Sequence, residues 1–134
     1  MNKYISRISS VEIPVSNLKA SVDWYTSVLG LAITYQDDRT AMLTFDAIGV
    51  PGVYLVQTGS ESRLKFHNSN NGITHSVVDF YTGDLPGFHQ FLTEQGVHVG
   101  ELNMHAEYEV GGFGFEDPDG NLLSACNAIQ RGQV

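Results

Sequence analysis

Hydrophobic and polar residues alternate with a period of two near the start of the chain. Over residues 11–15 the side chains of Val11, Ile13 and Val15 fall on one face, a pattern that predicts a β-strand. Pro14 has no N–H group to donate to a neighbouring strand. We therefore expect this strand to be short, irregular or close to the edge of its sheet.

The spacing of apolar residues then changes to three and four. This period predicts an amphipathic helix over residues 18–29 whose apolar side is formed by Leu18, Val22, Tyr25 and Leu29. Ser16 and Asn17 supply a cap for its first turn. Gly30 is placed to end the helix.

The remaining segments predict strands, turns and one more helix. Strands are expected at 32–35, 41–45 and 53–56. A polar segment, 59–72, reads as a linker. After it we expect a strand at 73–80, a helix that begins after Asp84 and ends at Gly96, and strands at 97–102, 112–115 and 122–126. Residues 117–120, Asp-Pro-Asp-Gly, predict a tight turn.

The order strand, helix, three strands therefore occurs twice. Aligning the halves matches Gly30 with Gly96, Ser10 with His75 and Val56 with Ser124. We predict an α+β fold in which two tandem βαβββ modules form curled mixed sheets around a cavity. The modules span approximately residues 8–58 and 73–128 of a single domain that covers 1–134.

Composition narrows the set of partners. The chain carries 7 Lys and Arg against 15 Asp and Glu, a formal net charge of −8. Phosphate backbones and anionic membranes should repel such a surface, so we expect neither a nucleic acid nor a membrane as partner. Cys126 is the single cysteine and excludes an intrachain disulfide, and residues 1–10 show no signal-like apolar run. The expected location is the cytoplasm.

Two stretches resemble motifs of the vicinal oxygen chelate superfamily. One runs from Val11 through Asn17, Trp24 and Tyr25 to Leu31, and the other is residues 113–121, Phe-x-Phe-x-Asp-Pro-Asp-Gly-Asn. The superfamily includes glyoxalases, bleomycin-binding proteins, fosfomycin-modifying thiol transferases and extradiol dioxygenases. One fold serves many chemistries in it, so the function has to be argued from the site. The resemblance also implies a homodimer.

The resemblance implies four metal-ligating corners, two from each module. Carried over by the sequence alignment, the corners are Ser10, Val56, His75 and Ser124. His75 alone is a usual ligand, because valine cannot bind a metal and neutral serine hydroxyls bind weakly. The site is therefore expected to be degenerate.

Glu12 lies two residues beyond Ser10, on the same face of the strand, and offers a partial replacement. Three interpretations of Glu12 and His75 are open. They could hold a divalent ion (Zn, Ni, Mn or Fe) with help from His105 or Glu107, they could transfer protons as a catalytic pair, or they could form an ion pair with no catalytic role.

Other candidates concern the wall of the cavity. We expect Ser10, Tyr54, Val56 and Ser124 to contact a ligand. Phe113 and Phe115 share one face of a strand, which is either the cavity wall or the core. His67, His89 and His98 are read as surface histidines, and Cys126 as a buried, inert thiol.

The leading hypothesis is a small-molecule-binding protein of the glyoxalase/bleomycin-resistance type with a degenerate metal site. The alternative is a metal-dependent lyase, isomerase or thiol transferase that uses Glu12 and His75. A third reading is an interaction domain without a ligand. The sequence leaves open whether the protein is an enzyme.

Overall fold

A computed structural model describes residues 3–107 and 109–133. The chain divides into two compact units between Ser60 and Glu61. Each unit contains one four-stranded mixed sheet and one α-helix. Among the described residues, no helix is long and apolar enough to cross a membrane.

Unit 1 has the element order predicted for the first module. Its elements are β1 (Ser10–Val15), α1 (Leu18–Ser27), β2 (Ala32–Gln36), β3 (Thr40–Thr44) and β4 (Gly52–Gln57). The strands lie in the order β1-β4-β3-β2. β1 is parallel to β4, and the other neighbours are antiparallel. Pro14 therefore lies in an edge strand, where a missing N–H group is tolerated.

Alternate residues of the unit 1 sheet form the core with α1. The buried sheet residues are Ile13, Val15, Ala41, Leu43, Val53 and Leu55. They are accompanied by Leu18, Val22 and Tyr25 on the buried side of the helix. Asn17 caps α1 as predicted, because its Oδ1 accepts a hydrogen bond of 3.1 Å from the Ala20 N–H group. We call the other side of this sheet the open face of unit 1.

Unit 2 repeats this arrangement and adds a short hairpin before it. The hairpin consists of β5 (Phe66–His67) and β6 (Thr74–His75). The elements that follow are β7 (Val78–Tyr81), α2 (Leu85–Glu94), β8 (Asn103–His105), β9 (Val110–Glu116) and β10 (Leu122–Cys126). The four strands β7 to β10 form a sheet in the order β7-β10-β9-β8, with β7 parallel to β10. The predicted α+β fold with two repeated modules is confirmed.

The core of unit 2 lies between its sheet and α2. Phe113, Phe115, Leu123 and Ala125 are buried on the sheet, and Leu85 and Leu92 on the helix. The ring of Phe88 on α2 lies 5.9 Å from that of Phe113 and 5.8 Å from that of Phe115, measured between centroids. The side of the sheet that carries Ser124 is the open face of unit 2.

Two predicted strands differ from the structure. The strand expected at 73–80 is two strands, because β6 pairs with β5 while β7 pairs with β10. The strand expected at 97–102 is replaced by β8 further along. Residues 98–100 bond to β9 only at separate points, from the Glu116 N–H group to the His98 carbonyl and from the Gly100 N–H group to the Gly114 carbonyl. These separate bonds do not make a continuous ladder.

Candidate functional site

Four side chains form one row across the open face of unit 1. Glu12 pairs with Tyr54, Tyr54 pairs with Met42, and Met42 pairs with Tyr35. Directly paired residues have Cβ atoms about 4.5–5.5 Å apart. The row therefore places a carboxylate, a phenol ring, a thioether and a second phenol ring side by side. We call it the Glu12 row.

A β-bulge brings the last ring into the row. The register between β2 and β3 shifts between Ile33 and Tyr35, so Thr34 has no partner in the ladder. Without this extra residue Thr34 would stand opposite Met42, and Tyr35 would fall on the other side of the sheet. The bulge therefore determines which side chain completes the row.

Gly52 makes room for Met42. A Cβ atom added at Gly52 would lie 2.8 Å from Met42 Sδ and 3.3 Å from the Leu43 carbonyl oxygen. The Met42 side chain consequently occupies space that any residue larger than glycine would need. The thioether is flexible and polarizable, which suits it to packing against a ligand of irregular shape.

Tyr35 is held in place by Asp37. The Tyr35 hydroxyl donates a hydrogen bond of 2.7 Å to Asp37 Oδ2. The same carboxylate accepts from the Arg39 and Thr40 N–H groups, and these donors hold the pKa of Asp37 well below its usual range. The hydrogen bond to Asp37 raises the pKa of Tyr35. Asp37 is therefore charged at neutral pH, and the Tyr35 hydroxyl is neutral and already engaged.

A polar cluster lies on the open face of unit 2. Ser124 donates a hydrogen bond of 2.8 Å to Asp79 Oδ1, and the Ser76 and Ser124 oxygens are 2.6 Å apart. Since Ser124 has one proton and gives it to the carboxylate, Ser76 donates to Ser124. We call these three residues the Ser124 cluster.

Cys126 lies on the same face as Ser124. Burial raises the pKa of the Cys126 thiol, and its Sγ donates a weak hydrogen bond of 3.6 Å to the Ala128 carbonyl. The thiol is therefore protonated at neutral pH and a poor nucleophile. These properties agree with the inert thiol expected from the sequence, although Cys126 is partly rather than fully buried.

A cleft of about 160 Å³ lies in unit 2, lined by His98, Gly100, Gly114, Phe115, Glu116 and Leu122. His98 Nδ1 is 3.6 Å from Glu116 Oε2 at this cleft. The sequence reading missed it. The signal was the pair Gly112 and Gly114, which alternate with the buried phenylalanines and leave the middle of the open face of β9 without side chains.

The structure changes the correspondence between the two modules. Asn17 and Asp84 both cap the helix that follows the first strand, so they are equivalent. At the same interval before them lie Glu12 and Asp79, which pair with Tyr54 and Ser124. On this basis Ser10 corresponds to Val77 rather than His75. Likewise, Ser124 corresponds to Tyr54 rather than Val56.

His75 lies in the hairpin of unit 2. Its ring stacks on that of Phe66, with centroids 5.0 Å apart and planes inclined by 10°. Its Nε2 atom is 3.2 Å from Asn68 Nδ2. These contacts give His75 a place within the hairpin. Its predicted pairing with Glu12 joins residues of different units and stays a prediction.

The other predicted ligand contacts divide into two groups. Ser10, Tyr54 and Val56 are half-buried, and Val56 pairs with Pro14. Phe113 and Phe115 are only 4% and 1% exposed and contact α2. Both rings therefore belong to the core of unit 2, and their contact with a ligand stays a prediction. The strand alternation that puts Ser124 and the glycines on the open face turns both rings toward the helix.

The residues at the corner positions do not fit the metal that the resemblance implies. Starting from Ser10 and Ser124, the structural correspondence adds Val77 and Tyr54 as the matching positions of the other module. Val77 has no donor atom, and the Ser124 proton is engaged by Asp79. Over residues 3–107 and 109–133, no three or more His, Cys, Asp and Glu side chains are grouped so as to hold an ion. A divalent cation needs several nitrogen or charged oxygen ligands.

A protein-family model matches most of the chain. The model for the Glyoxalase/Bleomycin resistance protein/Dioxygenase superfamily matches residues 7–124. The chain belongs to this superfamily. That membership confirms the resemblance seen in the two sequence stretches.

Solved structures share the fold at low sequence identity. The antibiotic-binding protein TnmS3 from Streptomyces sp. CB03234 is 18% identical with a TM-score of 0.75, over 96% of this chain and 100% of that one. The fosfomycin resistance protein FosX from Listeria monocytogenes is 12% identical with a TM-score of 0.73, over 97% and 99%. Lactoylglutathione lyase from Agrobacterium tumefaciens is 18% identical with a TM-score of 0.69, over 97% and 99%.

Proposed function

We propose that this member of the superfamily binds a small organic molecule on its open sheet faces without a metal ion. The observation that carries the proposal is the Glu12 row, in which two phenol rings and a thioether stand beside a carboxylate on a side of the sheet that α1 leaves uncovered. Tyr35 is 55% exposed although it belongs to a sheet. A ligand would bury this apolar surface and gain the hydrophobic free energy of doing so.

The fold agrees with a binding function, and the corner residues favour that function over a metal-dependent enzyme. TnmS3 is described as an antibiotic-binding protein and superposes on nearly the whole chain. An enzyme that uses a divalent ion as a Lewis acid needs ligands fixed around an open coordination position. The corner residues offer hydroxyls and an isopropyl group instead. We therefore favour sequestration or sensing of a ligand over turnover.

Titration of the labelled protein with indole, followed by amide chemical shifts, tests the proposal. We expect shifts in β1, β3 and β4, with a dissociation constant in the millimolar range typical of such a small compound. Tyr54→Ala should weaken binding at least about threefold, because it removes one ring from the Glu12 row. Tyr4→Ala is a matched control, since Tyr4 is 86% exposed and outside the strands. Equal losses in both variants, or no shifts in the sheets, would contradict the proposal.

Metal analysis of protein purified without chelator separates the two functions. We expect less than stoichiometric Zn, Ni, Mn or Fe and no effect of His75→Ala on metal content. Stoichiometric metal that His75→Ala or Glu12→Gln removes would establish the lyase, isomerase or thiol transferase alternative instead.

The same preparation allows a sedimentation test of the homodimer, which we also propose. A cytoplasmic location remains part of this proposal and agrees with the single cysteine.

A further inference from the structure

The two open faces carry negative charge at equivalent positions. Glu12 stands on the edge strand β1 opposite Tyr54, and Asp79 stands on the edge strand β7 opposite Ser124. Both carboxylate residues are exposed. By contrast, none of the strands β1 to β10 contains a lysine or an arginine. The permanently charged side chains that the strands present on either sheet face are therefore carboxylates.

Three hydroxyl groups on these faces, those of Ser76, Ser124 and Tyr35, already donate hydrogen bonds. Ser76 donates to Ser124, and Ser124 donates to Asp79. In unit 1 the Tyr35 hydroxyl donates to Asp37. A ligand that approaches these groups meets carboxylate oxygens and ring faces, which accept hydrogen bonds or attract cations. An anionic ligand would find no strand side chain to neutralise its charge.

Within unit 1, the carboxylate and a ring face the same space. Glu12 and Tyr54 are direct cross-strand neighbours, and Met42 and Tyr35 extend the apolar surface beyond them. A protonated amine beside Glu12 could contact the Tyr54 ring, and an aromatic group attached to it would reach Met42. Successive strands lie about 4.8 Å apart, and this spacing is similar to the separation of the amine and the aromatic group in such a ligand.

We propose that the Glu12 row selects ligands in which a positively charged amine is joined to an aromatic group. Glu12 binds the amine, and Tyr54, Met42 and Tyr35 bind the aromatic part. This inference rests on the proposed function and names the chemical class of its ligand. It also predicts that anionic compounds with the same ring are rejected.

Three compounds that share one ring test the charge preference. Tryptamine is a cation at neutral pH, indole is neutral, and indole-3-propionate is an anion. In amide chemical-shift titrations we expect tryptamine to bind about fivefold more tightly than indole, and indole-3-propionate to bind more weakly than both. The largest tryptamine shifts should lie in β1 and β4 around Glu12 and Tyr54.

Matched variants separate a specific contact from the overall charge of the protein. Glu12→Gln should reduce the preference for tryptamine to less than about twofold. Glu94→Gln changes the net charge equally but lies at the end of α2, and should keep the preference. A preference that survives Glu12→Gln and disappears in Asp79→Asn would overturn the assignment to the Glu12 row. Equal loss in Glu12→Gln and Glu94→Gln would reduce the effect to general electrostatics and overturn it too.

Failure of the inference is distinguishable from failure of the proposed function. If all three compounds bind the open face of unit 1 equally well, the charge inference is wrong and the binding function stands. If none of them shifts any sheet residue up to about 10 mM, the proposed function itself is contradicted. Thermal unfolding of each variant without ligand verifies that Glu12→Gln leaves the fold intact.

Discussion

Asn121 joins three parts of unit 2 through one fully buried side chain. Its Oδ1 accepts from the Leu64 N–H group at 2.9 Å, and its Nδ2 donates to Asp117 Oδ2 at 2.8 Å. Asp117 Oδ1 in turn accepts from the N–H groups of Asp119 and Asn121. The sequence predicted the turn at 117–120, and the structure confirms it. The tie to Leu64 could not be predicted, because that residue lies in a segment that reads as a polar linker.

Replacing Asn121 should therefore lower the free energy of unfolding more than replacing a turn residue normally does. In Asn121→Ala the Leu64 N–H group and Asp117 Oδ2 each lose the hydrogen bond that Asn121 supplies, and we expect a loss of about 2–3 kcal/mol in the free energy of unfolding. Urea denaturation measures it. Asn70→Ala, in the exposed β5–β6 turn, should change stability by less than about 0.5 kcal/mol. Similar small losses in both variants would show that the buried network contributes little.

At the scale of elements, helices were easier to predict than strands. Capping residues and apolar spacing are local, so both helices were placed correctly. Strands β1 to β4, β9 and β10 were also found, from alternation, short apolar runs and the turn residues between them. The two errors occurred where pairing depends on a distant strand. β6 belongs with β5 rather than β7, and residues 97–102 run beside β9 without a full ladder. No local sequence pattern predicts the pairing partner of β6 or the incomplete ladder of residues 97–102.

The cap of α2 gives a test at this scale. Asp84 Oδ1 accepts a hydrogen bond of 3.1 Å from the Gly87 N–H group at the start of the helix. Asp84→Ala should lower the free energy of unfolding by about 1 kcal/mol, because the first turn loses its acceptor. Asp84→Asn retains an acceptor and should lose less than half as much. Calorimetry of the two variants and the unmodified protein measures these losses. If Asp84→Ala were as stable as the unmodified protein, the cap would be dispensable.

For the whole molecule, the fold could be predicted and the candidate site only in part. The repeat, the motifs and the alternation identified the superfamily. The Glu12 row depends on the register of four strands and on the bulge at Thr34, and no sequence pattern predicts either. The sequence alignment of the two halves differs by two residues from the structural correspondence, which matches Ser10 with Val77 and Tyr54 with Ser124. Glu12 was nonetheless named from the sequence, because the alternation over residues 11–15 fixes the facing of its side chain. Tyr54 was also named, but the continuous apolar run over residues 53–56 did not determine its facing.

Net charge is the remaining property of the whole molecule with a testable consequence. Fifteen acidic residues against 7 basic ones leave most carboxylates without a cation, and ion pairs such as Lys19–Asp23 are too exposed to contribute much. Repulsion among the carboxylates should therefore destabilise the protein at low salt. Raising NaCl from about 20 mM to about 300 mM shortens the Debye length from about 20 Å to about 6 Å and should raise the Tm by about 2–5 °C. KCl should give the same rise, because screening does not depend on the identity of the cation. A Tm that falls with salt would mean that attractive pairs outweigh the repulsion, and a rise with NaCl alone would indicate bound sodium instead of screening.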